Sequence, residues 1–405
     1  MEPDEARHER VDQEIERLDE RLWSLAGELH AYPEPAGEEH NAAKRLTAEL
    51  AAEGFDVRRG VADLPTAFTA RYGTGRPCVA LLLAYDALPG LGHARGHNLV
   101  AAAGLGAALA ARRVLAGDAG SLLVVGCPAD ETAPVRAGVF DEADAALVFH
   151  PGVHSWSWTP LAARAEVRMT FHGRAAGLAA PEQGVDALAA LVQAFTAVAA
   201  LRSRLPPGSR AQGIVTRGGE STDVVPDLAE GRFGLHARTT AELDQLVADV
   251  TACAEGAALA TGAKAGVERL EGSSHFRDNP VLSRRFSHHL AACGIHTTPP
   301  DPGVFAGGSG VEEVSVRVPA IHPLIAILDP GHADRTPEFA TAAASPRGRT
   351  VLLAAAAALG RTAVDLLAHP ALVFQAWSRF TDQAGTDQAR AERAGSPVPP
   401  VPPGG

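Results

Sequence analysis

An almost uninterrupted apolar run, residues 78–85, predicts a strand that is buried on both faces, as the central strands of parallel sheets are. Patterns typical of amphipathic helices alternate with this run and with two shorter strand-like runs at 122–126 and 145–150. Strands and helices that alternate at this spacing favour a mostly parallel sheet with helices on both faces. The sequence therefore predicts the α/β class.

The pattern changes between residues 163 and 272. Strand, helix, strand, strand, helix and strand patterns follow one another there, which is the order of a ferredoxin-like βαββαβ unit. The α/β pattern then resumes, so the small unit is predicted to be an insertion. We expect a discontinuous catalytic-type α/β domain over 1–162 and 273–383, an inserted domain over 163–272, and a disordered Pro-rich tail over 384–405.

The charge of the chain restricts its partners. The formal charge is -12 at pH 7, and no run of Lys and Arg is long enough to form a phosphate-binding stripe. We therefore expect a small-molecule substrate, with no nucleic acid and no membrane as partner. The four cysteines lack the spacing of disulfide pairs or CxxC motifs, and the acidic N-terminus lacks an apolar stretch. These features predict a cytoplasmic location.

The residues that follow the apolar run carry the strongest candidate site. Tyr85-Asp86-Ala87-Leu88-Pro89-Gly90 is followed by Gly92-His93-Ala94-Arg95-Gly96-His97-Asn98. Ionisable groups here leave the carboxyl end of a predicted strand and enter the N-terminus of a predicted helix, where ligands bind in open α/β sheets. Taken alone, two histidines four residues apart are equally compatible with capping or packing.

This stretch resembles the signature of the zinc amidohydrolases that include aminoacylase, carboxypeptidase, hippurate hydrolase and aminobenzoyl-glutamate hydrolase. Their pattern is Tyr-Asp-Ala-Leu-Pro followed by Gly-His-Ala-Cys-Gly-His. Further blocks similar to the family follow in the family's order, at 126–131, 137–151, 171–176, 318–323 and 336–340. The resemblance implies an amide-bond substrate and an inserted lid domain that mediates a homodimer.

The resemblance also implies which metal ligands this chain keeps. In the family, a cysteine thiolate bridges two zinc or manganese ions, and histidines and a glutamate complete the ligand set. By position, His97, Glu131 and His150 are retained. Arg95 stands at the bridging cysteine, and Arg335 stands at the C-terminal histidine ligand.

Three further positions differ from the family. Asp130 stands where the resemblance places the general-base glutamate, and it is one methylene shorter. Gly177 and His236 stand where the inserted domain of the family has a histidine and an arginine. We expect Asp130 to take part in catalysis, and we expect His150, Asn98 and His236 to bind the substrate.

Of these differences from the family, Arg95 has the largest expected effect on metal binding. A guanidinium about 4 Å from a divalent ion is repelled by roughly 8 kcal/mol at an effective dielectric near 20. Structural zinc sites with full ligand sets bind with about 10–16 kcal/mol. The sequence therefore predicts a remodelled site without a cofactor, in which Arg95, His97, Asp130 and Arg335 act on a small amide-, acyl- or amino-acid-like substrate. Hydrolysis, condensation, cyclisation and elimination all stay open.

Two alternatives remain. If the Arg95 side chain turns away, His97, Glu131 and His150 are enough ligands for one catalytic Zn(II). Alternatively, the two arginines form structural ion pairs, and the chain is a non-catalytic scaffold or ligand-binding protein. Other histidines near the predicted site loops are interpreted as satisfied polar residues: His154, His322 and His332. Of these, His332 is the one that could substitute for the missing C-terminal ligand, because it lies three residues before Arg335.

Overall fold

The computed structural model describes residues 4–114, 120–127, 132–301 and 303–394. These residues form two compact units. The first contains the described residues of Met1–Thr159, Phe276–Asp301 and Ser309–Gln383. The second is built on Pro160–His275 and includes the described residues of Pro302–Gly308 and Ala384–Gly405.

The first passage of the chain through the first unit opens with two helices and then alternates strands with helices. Its elements are α1 (Asp4–Ala31), α2 (His40–Ala52), β1 (Asp56–Arg59), β2 (Phe68–Tyr72), β3 (Cys78–Ala84), α3 (His97–Val114), β4 (Ser121–Cys127), α4 (Thr132–Arg136), β5 (Ala145–Leu147) and β6 (His150–Gly152), with a 3-10 turn at Val61–Asp63.

The second unit then follows without interruption. Its elements are β7 (Ala163–His172), β8 (Ala176–Gly177), α5 (Ala187–Leu201), β9 (Arg210–Arg217), β10 (Val224–Val225), β11 (Leu228–Ala237), α6 (Thr240–Thr261) and β12 (Lys264–Ser273), with a 3-10 turn at Pro181–Gln183.

The chain finally returns to the first unit and ends in long helices. The elements of this return are α7 (Pro280–Ala292), α8 (Val311–Ser315), β13 (Ala320–Ile321), β14 (Leu324–Ala326), α9 (Pro337–Ala342), α10 (Pro346–Ala368) and α11 (Pro370–Ala394).

The sheet of the first unit is mostly parallel. Within the described residues, six strands pair in the order β1-β2-β4-β3-β5-β13. Strand β3 runs parallel to both β4 and β5, and β5 runs parallel to β13, whereas β1 and β2 form an antiparallel edge. Strand β4 is buried along its whole length, and β3 along all but its last residue, as their apolar sequences predict. The predicted α/β class with a mostly parallel sheet is confirmed.

Helix α3 packs against β3 and against α1 and α10, and small residues make this close packing feasible. Gly104 is the clearest example. A Cβ atom at this position would lie 2.8 Å from Cδ1 of Leu83 and 3.2 Å from the carbonyl oxygen of Leu82. Real Cβ atoms essentially never approach so closely, so glycine sets the distance between helix and sheet here.

The second unit has the predicted βαββαβ order. Its main sheet, in the order β12-β7-β11-β9, is antiparallel throughout. Side chains along β7 alternate between buried and partly exposed positions, which is the period-2 pattern of a strand with one face on a core. The buried face, which includes Val167, Met169 and Phe171, packs in one core with apolar residues of α5 and α6. The predicted ferredoxin-like insertion is therefore confirmed as a fold.

Helix α10 is the one helix in the described part of the chain that is long and apolar enough to cross a membrane by length and composition. However, 83% of its apolar window is buried inside the fold. It packs against α1, α3 and α7. Its apolar character is therefore that of a core helix.

The last helix corrects one predicted boundary. Helix α11 continues to Ala394, although the disordered tail is predicted to begin at residue 384. The residues between these positions are mainly Ala, Gln, Glu and Arg, which favour helix, and the first proline of the tail comes later, at position 397. Residues 395–405 lie outside the described residues.

Candidate functional site

Three ionisable side chains follow the carboxyl ends of parallel strands in the first unit. Asp86 follows β3, His150 follows β5, and His322 follows β13 directly. Because β3, β5 and β13 run parallel and are neighbours, their carboxyl ends meet at the same edge of the sheet. Ligands of open α/β sheets bind at this edge. We call these three residues, together with Arg95 and His97, the site cluster.

Asp86 links the two motif residues of the site cluster. Its Oδ1 accepts a hydrogen bond from Nδ1 of His97 at 2.6 Å, and its Oδ2 lies 3.7 Å from Nη1 of Arg95. Only 2% of the Asp86 side chain is exposed, compared with 13% of that of Arg95. Burial alone raises the pKa of Asp86, but the charges and hydrogen bond of His97, with the charge of Arg95, lower it to about 2. The carboxylate is therefore ionised at neutral pH.

The hydrogen bonds of His97 and His150 define which nitrogen of each ring carries a hydrogen. Each ring has its Nδ1 against an oxygen that can only accept: a carboxylate oxygen of Asp86 for His97, and the carbonyl oxygen of Pro151, at 2.7 Å, for His150. Nδ1 therefore carries the proton in both rings, and Nε2 is left for another partner. The rings meet edge to face, with centroids 5.4 Å apart. Burial lowers the pKa of His150 well below its ordinary value, as do the nearby rings and Arg95, so this ring is neutral.

His322 joins the site cluster from the far end of the sequence. Its ring centroid is 5.5 Å from that of His150 and 5.9 Å from that of Phe276. The residue is held at its backbone, because its carbonyl oxygen accepts from both the N–H and the hydroxyl of Thr159 at 2.8 Å. Burial lowers the pKa of His322 to about 3, and so do the charges of His97 and Arg95.

Glycine at position 96 lets the motif loop approach His150. Gly96 has φ +70°, and a Cβ atom there would lie 2.8 and 2.9 Å from the ring carbons of Pro151. A side chain is excluded by both the backbone conformation and the space. The pair of Arg95 and His97 is therefore brought against the residues that follow β5.

Arg335 reaches this region by its backbone. Its N–H donates to the carbonyl of Ala94 at 2.8 Å, which places the segment beside the Arg95 loop. The residue has φ +60°, an uncommon conformation for arginine. Its side chain is 54% exposed, and Nε lies 3.7 Å from Oδ2 of Asp334. The structure therefore brings the backbone of Arg335 to the site, but its guanidinium contacts a neighbouring surface carboxylate.

The two predicted acids, Asp130 and Glu131, lie outside the described residues. Asn98, predicted to bind substrate, is 1% exposed, and its amide donates to the carbonyl oxygens of Ala26 and Ala343 at 3.3 and 3.2 Å. These contacts tie the start of α3 to neighbouring parts of the first unit. Its assignment to the substrate remains a prediction.

His236, the third predicted substrate ligand, belongs to the second unit. It lies in β11, opposite Arg164 of β7 and Arg210 of β9. Partial burial lowers its pKa, and the positive charges of both arginines add to this effect. Its predicted role toward the substrate remains a prediction.

Sequence reasoning missed two members of the site cluster. Asp86 stands in the quoted motif, but it is not predicted to be a site residue because the position alone does not reveal its partner. His322 is interpreted as a satisfied polar residue because a lone histidine is more often that than a ligand, and the apolar run 320–328 predicts a strand that continues through it. Strand β13 instead ends at Ile321. A prediction that this strand ends at Ile321 would have identified His322 as a candidate site residue, because it places His322 at the edge of the sheet where ligands bind.

A second group of potential ligands lies elsewhere in the first unit. Asp365 of α10 accepts hydrogen bonds from Nε2 of His8 at 2.7 Å and Nε2 of His289 at 2.6 Å. Nε of Arg285 lies 3.0 Å from the same carboxylate. The two imidazoles hold the pKa of Asp365 well below its usual range despite burial. We interpret this group as a structural ion pair that joins three helices, because the guanidinium already neutralises the carboxylate.

The second unit connects the chain with known proteins. Residues 163–261 match the peptidase dimerisation domain. A mostly parallel α/β unit with ionisable groups at its strand ends, combined with this domain, defines the class of two-domain peptidases and amidohydrolases. The chain is 33% identical over 389 residues to the Xaa-Arg dipeptidase of Mus musculus, and the match covers 90% of each protein. The chain belongs to the M20 peptidase family.

Two further relatives agree with this placement. A subunit of the p-aminobenzoyl-glutamate hydrolase of Escherichia coli (strain K12) is 34% identical over 278 residues, covering 62% of this chain and 58% of the relative. A dinuclear metal binding peptidase of the M20 family from Bacillus subtilis superposes with a TM-score of 0.64 at 20% identity, covering 84% of this chain and 98% of that one. The structural match supports the fold. The named relatives place the chain in a family of amide-bond hydrolases.

The described residues do not fit a two-metal centre. Such a centre needs an anionic group between two cations, but the carboxylate of Asp86 is already engaged by His97 and Arg95. The guanidinium of Arg95 also acts on the neighbouring imidazoles, since its positive charge lowers the pKa of both His150 and His322. A second and third positive charge in this space would be repelled. The imidazoles of His97 and His150 meet edge to face with centroids 5.4 Å apart, and they are candidate ligands for a single ion.

Proposed function

We propose that this protein cleaves the amide bond of a small, dipeptide-like substrate, and that its catalytic group is the pair of Asp86 and His97, held by Arg95, in place of a two-metal centre. The observation that supports this most directly is the 2.6 Å hydrogen bond from Nδ1 of His97 to the ionised carboxylate of Asp86. Carboxylate–imidazole pairs of this kind orient a general base.

The pair has a defined part in hydrolysis. Nε2 of His97 removes a proton from the attacking water as the C–O bond forms, and it returns the proton to the leaving nitrogen as the C–N bond breaks. The carboxylate of Asp86 keeps the other ring nitrogen protonated and stabilises the imidazolium between these two steps. Arg95 helps to keep Asp86 ionised, because its positive charge contributes to the low pKa of that carboxyl.

The substrate class follows from the relatives. An Xaa-Arg dipeptide and p-aminobenzoyl-glutamate are both amides formed on the amine of an amino acid, so each has a carboxylate close to the amide bond. We propose that this chain takes a substrate of the same kind. Guanidinium groups bind carboxylates through two parallel hydrogen bonds, which makes Arg95 and Arg335 the candidates for this contact. Asp130 remains a candidate acid or base.

The decisive experiment combines metal analysis with hydrolysis assays. Purified protein is tested on alanyl-arginine and p-aminobenzoyl-glutamate, with and without a chelator. We expect activity that survives the chelator and falls by about 10²–10⁴-fold in Asp86→Asn, the range of general acid–base contributions. Asp144→Asn is the matched control, because Asp144 is a mostly buried carboxylate of the same unit that pairs with Arg76 at 2.7 Å. Two zinc or manganese ions per chain, with activity abolished by the chelator, would contradict the proposal.

One observation favours a second candidate, a mononuclear zinc amidase. Among the described residues, no hydrogen bond joins Nε2 of His97 or His150 to another protein group, while Nδ1 of each ring bonds an oxygen, which is how zinc-binding histidines are usually held. These two residues would hold the ion with Glu131, and zinc in such a site polarises the carbonyl of the substrate. One zinc per chain, lost in His150→Asn, would support this candidate. If no probe is turned over with or without zinc, the scaffold interpretation is favoured.

We also propose a homodimer formed through the second unit. Strand β9 is at the edge of its sheet, and it exposes Ile214 and Val215 by 61% and 51%. An exposed apolar edge strand is a template for pairing with another chain. The matching peptidase dimerisation domain supports the same interpretation. We propose a cytoplasmic location as well, because the four cysteines, all in the described part of the chain, are free thiols.

A further inference from the structure

We propose that His322 is a substrate-binding residue, and that its Nδ1 donates a hydrogen bond to an oxygen of the substrate, either the amide carbonyl or the terminal carboxylate. This inference rests on the proposed function of the site cluster. It concerns a residue of the 318–323 block that the predicted ligand set does not include.

The fold positions His322 for this role. It follows β13 directly, and β13 pairs in parallel with β5, whose chain continues to His150. The two rings lie 5.5 Å apart, and Phe276 lies 5.9 Å away on another segment of the same unit. Two hydrogen bonds from Thr159 to the carbonyl of His322 hold its backbone in place. The ring is thus pre-positioned beside the predicted catalytic groups.

The unsatisfied atom of this ring indicates a ligand. Nδ1 of His322 is buried, and among the described residues it has no hydrogen-bond partner. Buried polar atoms are nearly always paired, and an unpaired one costs about 1–3 kcal/mol. Other orphaned polar atoms occur in this protein, such as Nδ1 of His93, but that ring is bonded through Nε2 to the carbonyl of Leu29. His322 combines an orphaned atom with a place in the site cluster.

The surroundings favour an oxygen as the partner. The guanidinium of Arg95, which carries a positive charge, belongs to the same site cluster as His322. A positive potential attracts a carbonyl or carboxylate oxygen and repels the hydrogen of an N–H group. An imidazole that carries a proton on Nδ1 donates it in a hydrogen bond to such an oxygen. A carbonyl and a carboxylate share this chemistry, and the experiment distinguishes them.

The test measures binding of two inert probes by isothermal titration calorimetry to the full-length protein. The first probe is the ketomethylene analogue of alanyl-arginine, in which a CH₂ group replaces the amide nitrogen, so that it cannot be hydrolysed. The second probe is the descarboxy form of this analogue, in which a hydrogen atom replaces the terminal carboxylate. Both are titrated into the wild type and into three variants, His322→Leu, His322→Asn and His322→Gln.

The variants separate the two ring nitrogens. Asn places its amide nitrogen near the position of Nδ1, whereas Gln places it near that of Nε2. We expect His322→Leu and His322→Gln to weaken binding about tenfold, the order of one net hydrogen bond, and His322→Asn to stay within about threefold of the wild type. An effect on both probes assigns the carbonyl as the partner, and an effect on the first probe alone assigns the carboxylate.

A matched control accounts for loss of stability. His289 is equally enclosed, with 3% of its side chain exposed, and it contacts His8, His288 and Asp365. His289→Leu should therefore lower the melting temperature but leave binding unchanged. If His322→Leu does not fold, the test uses the difference in probe binding between His322→Asn and His322→Gln.

The outcomes distinguish this inference from the proposed function. Equal binding by the wild type and by the Leu and Gln variants would overturn the role of His322, and so would a wild type that binds neither probe. Hydrolysis of alanyl-arginine is measured in parallel. Binding that depends on His322 without hydrolysis refutes only the catalytic proposal. Hydrolysis without any dependence on His322 refutes only this inference.

Discussion

Asp278 makes the stability of the first unit depend on pH. Its Oδ2 accepts a hydrogen bond from the hydroxyl of Ser283 at 2.9 Å, whereas its Oδ1 is buried and has no partner among the described residues. Burial raises the pKa of Asp278 from 3.8 to about 7, although Ser283 and the charge of Arg284 oppose this rise. The folded state therefore binds the proton of Asp278 more tightly than the unfolded state does, and stability falls as pH rises from about 4 through 7.

Replacing Asp278 with Asn removes this titration and retains an oxygen that can accept from Ser283. Each pKa unit corresponds to about 1.4 kcal/mol. In the wild type, the unfavourable contribution of Asp278 is about 4 kcal/mol at pH 8 and about 1.6 kcal/mol at pH 5, given the pKa of about 7. The stability difference between Asp278→Asn and the wild type should therefore be larger at pH 8 than at pH 5 by about 2.5 kcal/mol. Any constant effect of the amide cancels in this comparison.

Tryptophan fluorescence in urea isolates the relevant transition. All four tryptophans of the chain, Trp23, Trp156, Trp158 and Trp377, belong to the first unit. Unfolding curves of the wild type and Asp278→Asn are recorded at pH 5 and pH 8, and Asp56→Asn measures the effect of losing one exposed negative charge. A stability difference that is equal at both pH values, or larger at pH 5, would refute the burial argument.

Three further predictions follow from single contacts. Asp365→Ala should destabilise the first unit by about 3–5 kcal/mol in urea, because it removes a buried carboxylate that two imidazoles and the half-buried guanidinium of Arg285 share; a loss below about 1 kcal/mol would contradict this. Gly96→Ala should lower stability by about 1–3 kcal/mol and weaken ketomethylene-probe binding, because its Cβ meets the ring of Pro151; unchanged probe binding and melting temperature would show that the loop relaxes freely. Ile214→Lys should convert the dimer to a monomer in sedimentation experiments, whereas Ile214→Val should not, and a dimer that persists would place the interface elsewhere.

The sequence predicts the candidate site only in part. His97, Arg95 and His150 are identified from the motif and from order along the chain, and the structure brings all three into one cluster. Arg335 is predicted at the right backbone location, but the direction of its side chain depends on the φ of +60° and on the nearby Asp334, which no motif encodes. Side chains on loops are positioned by their surroundings, so their contacts cannot be deduced from position along the chain.

Local patterns were sufficient for the architecture. The buried run of β3 and the βαββαβ order of the second unit depend on the spacing of apolar residues within a few turns or strand lengths, which is a short-range property. The glycine at 96 is also visible in the sequence, although the reason for it is not. The sequence thus determined the α/β class, the insertion and the place of the motif at a strand end.

Tertiary structure decided which groups work together. His322 meets His150 only because β13 pairs with β5, and Asp86 acquires its low pKa only because His97 and Arg95 converge on one carboxylate. Such convergence depends on contacts between residues far apart in the chain and on the exclusion of water around them. The spacing of apolar residues along the chain predicts neither these long-range contacts nor the exclusion of water. The chemistry of the site can therefore be deduced only from the folded structure.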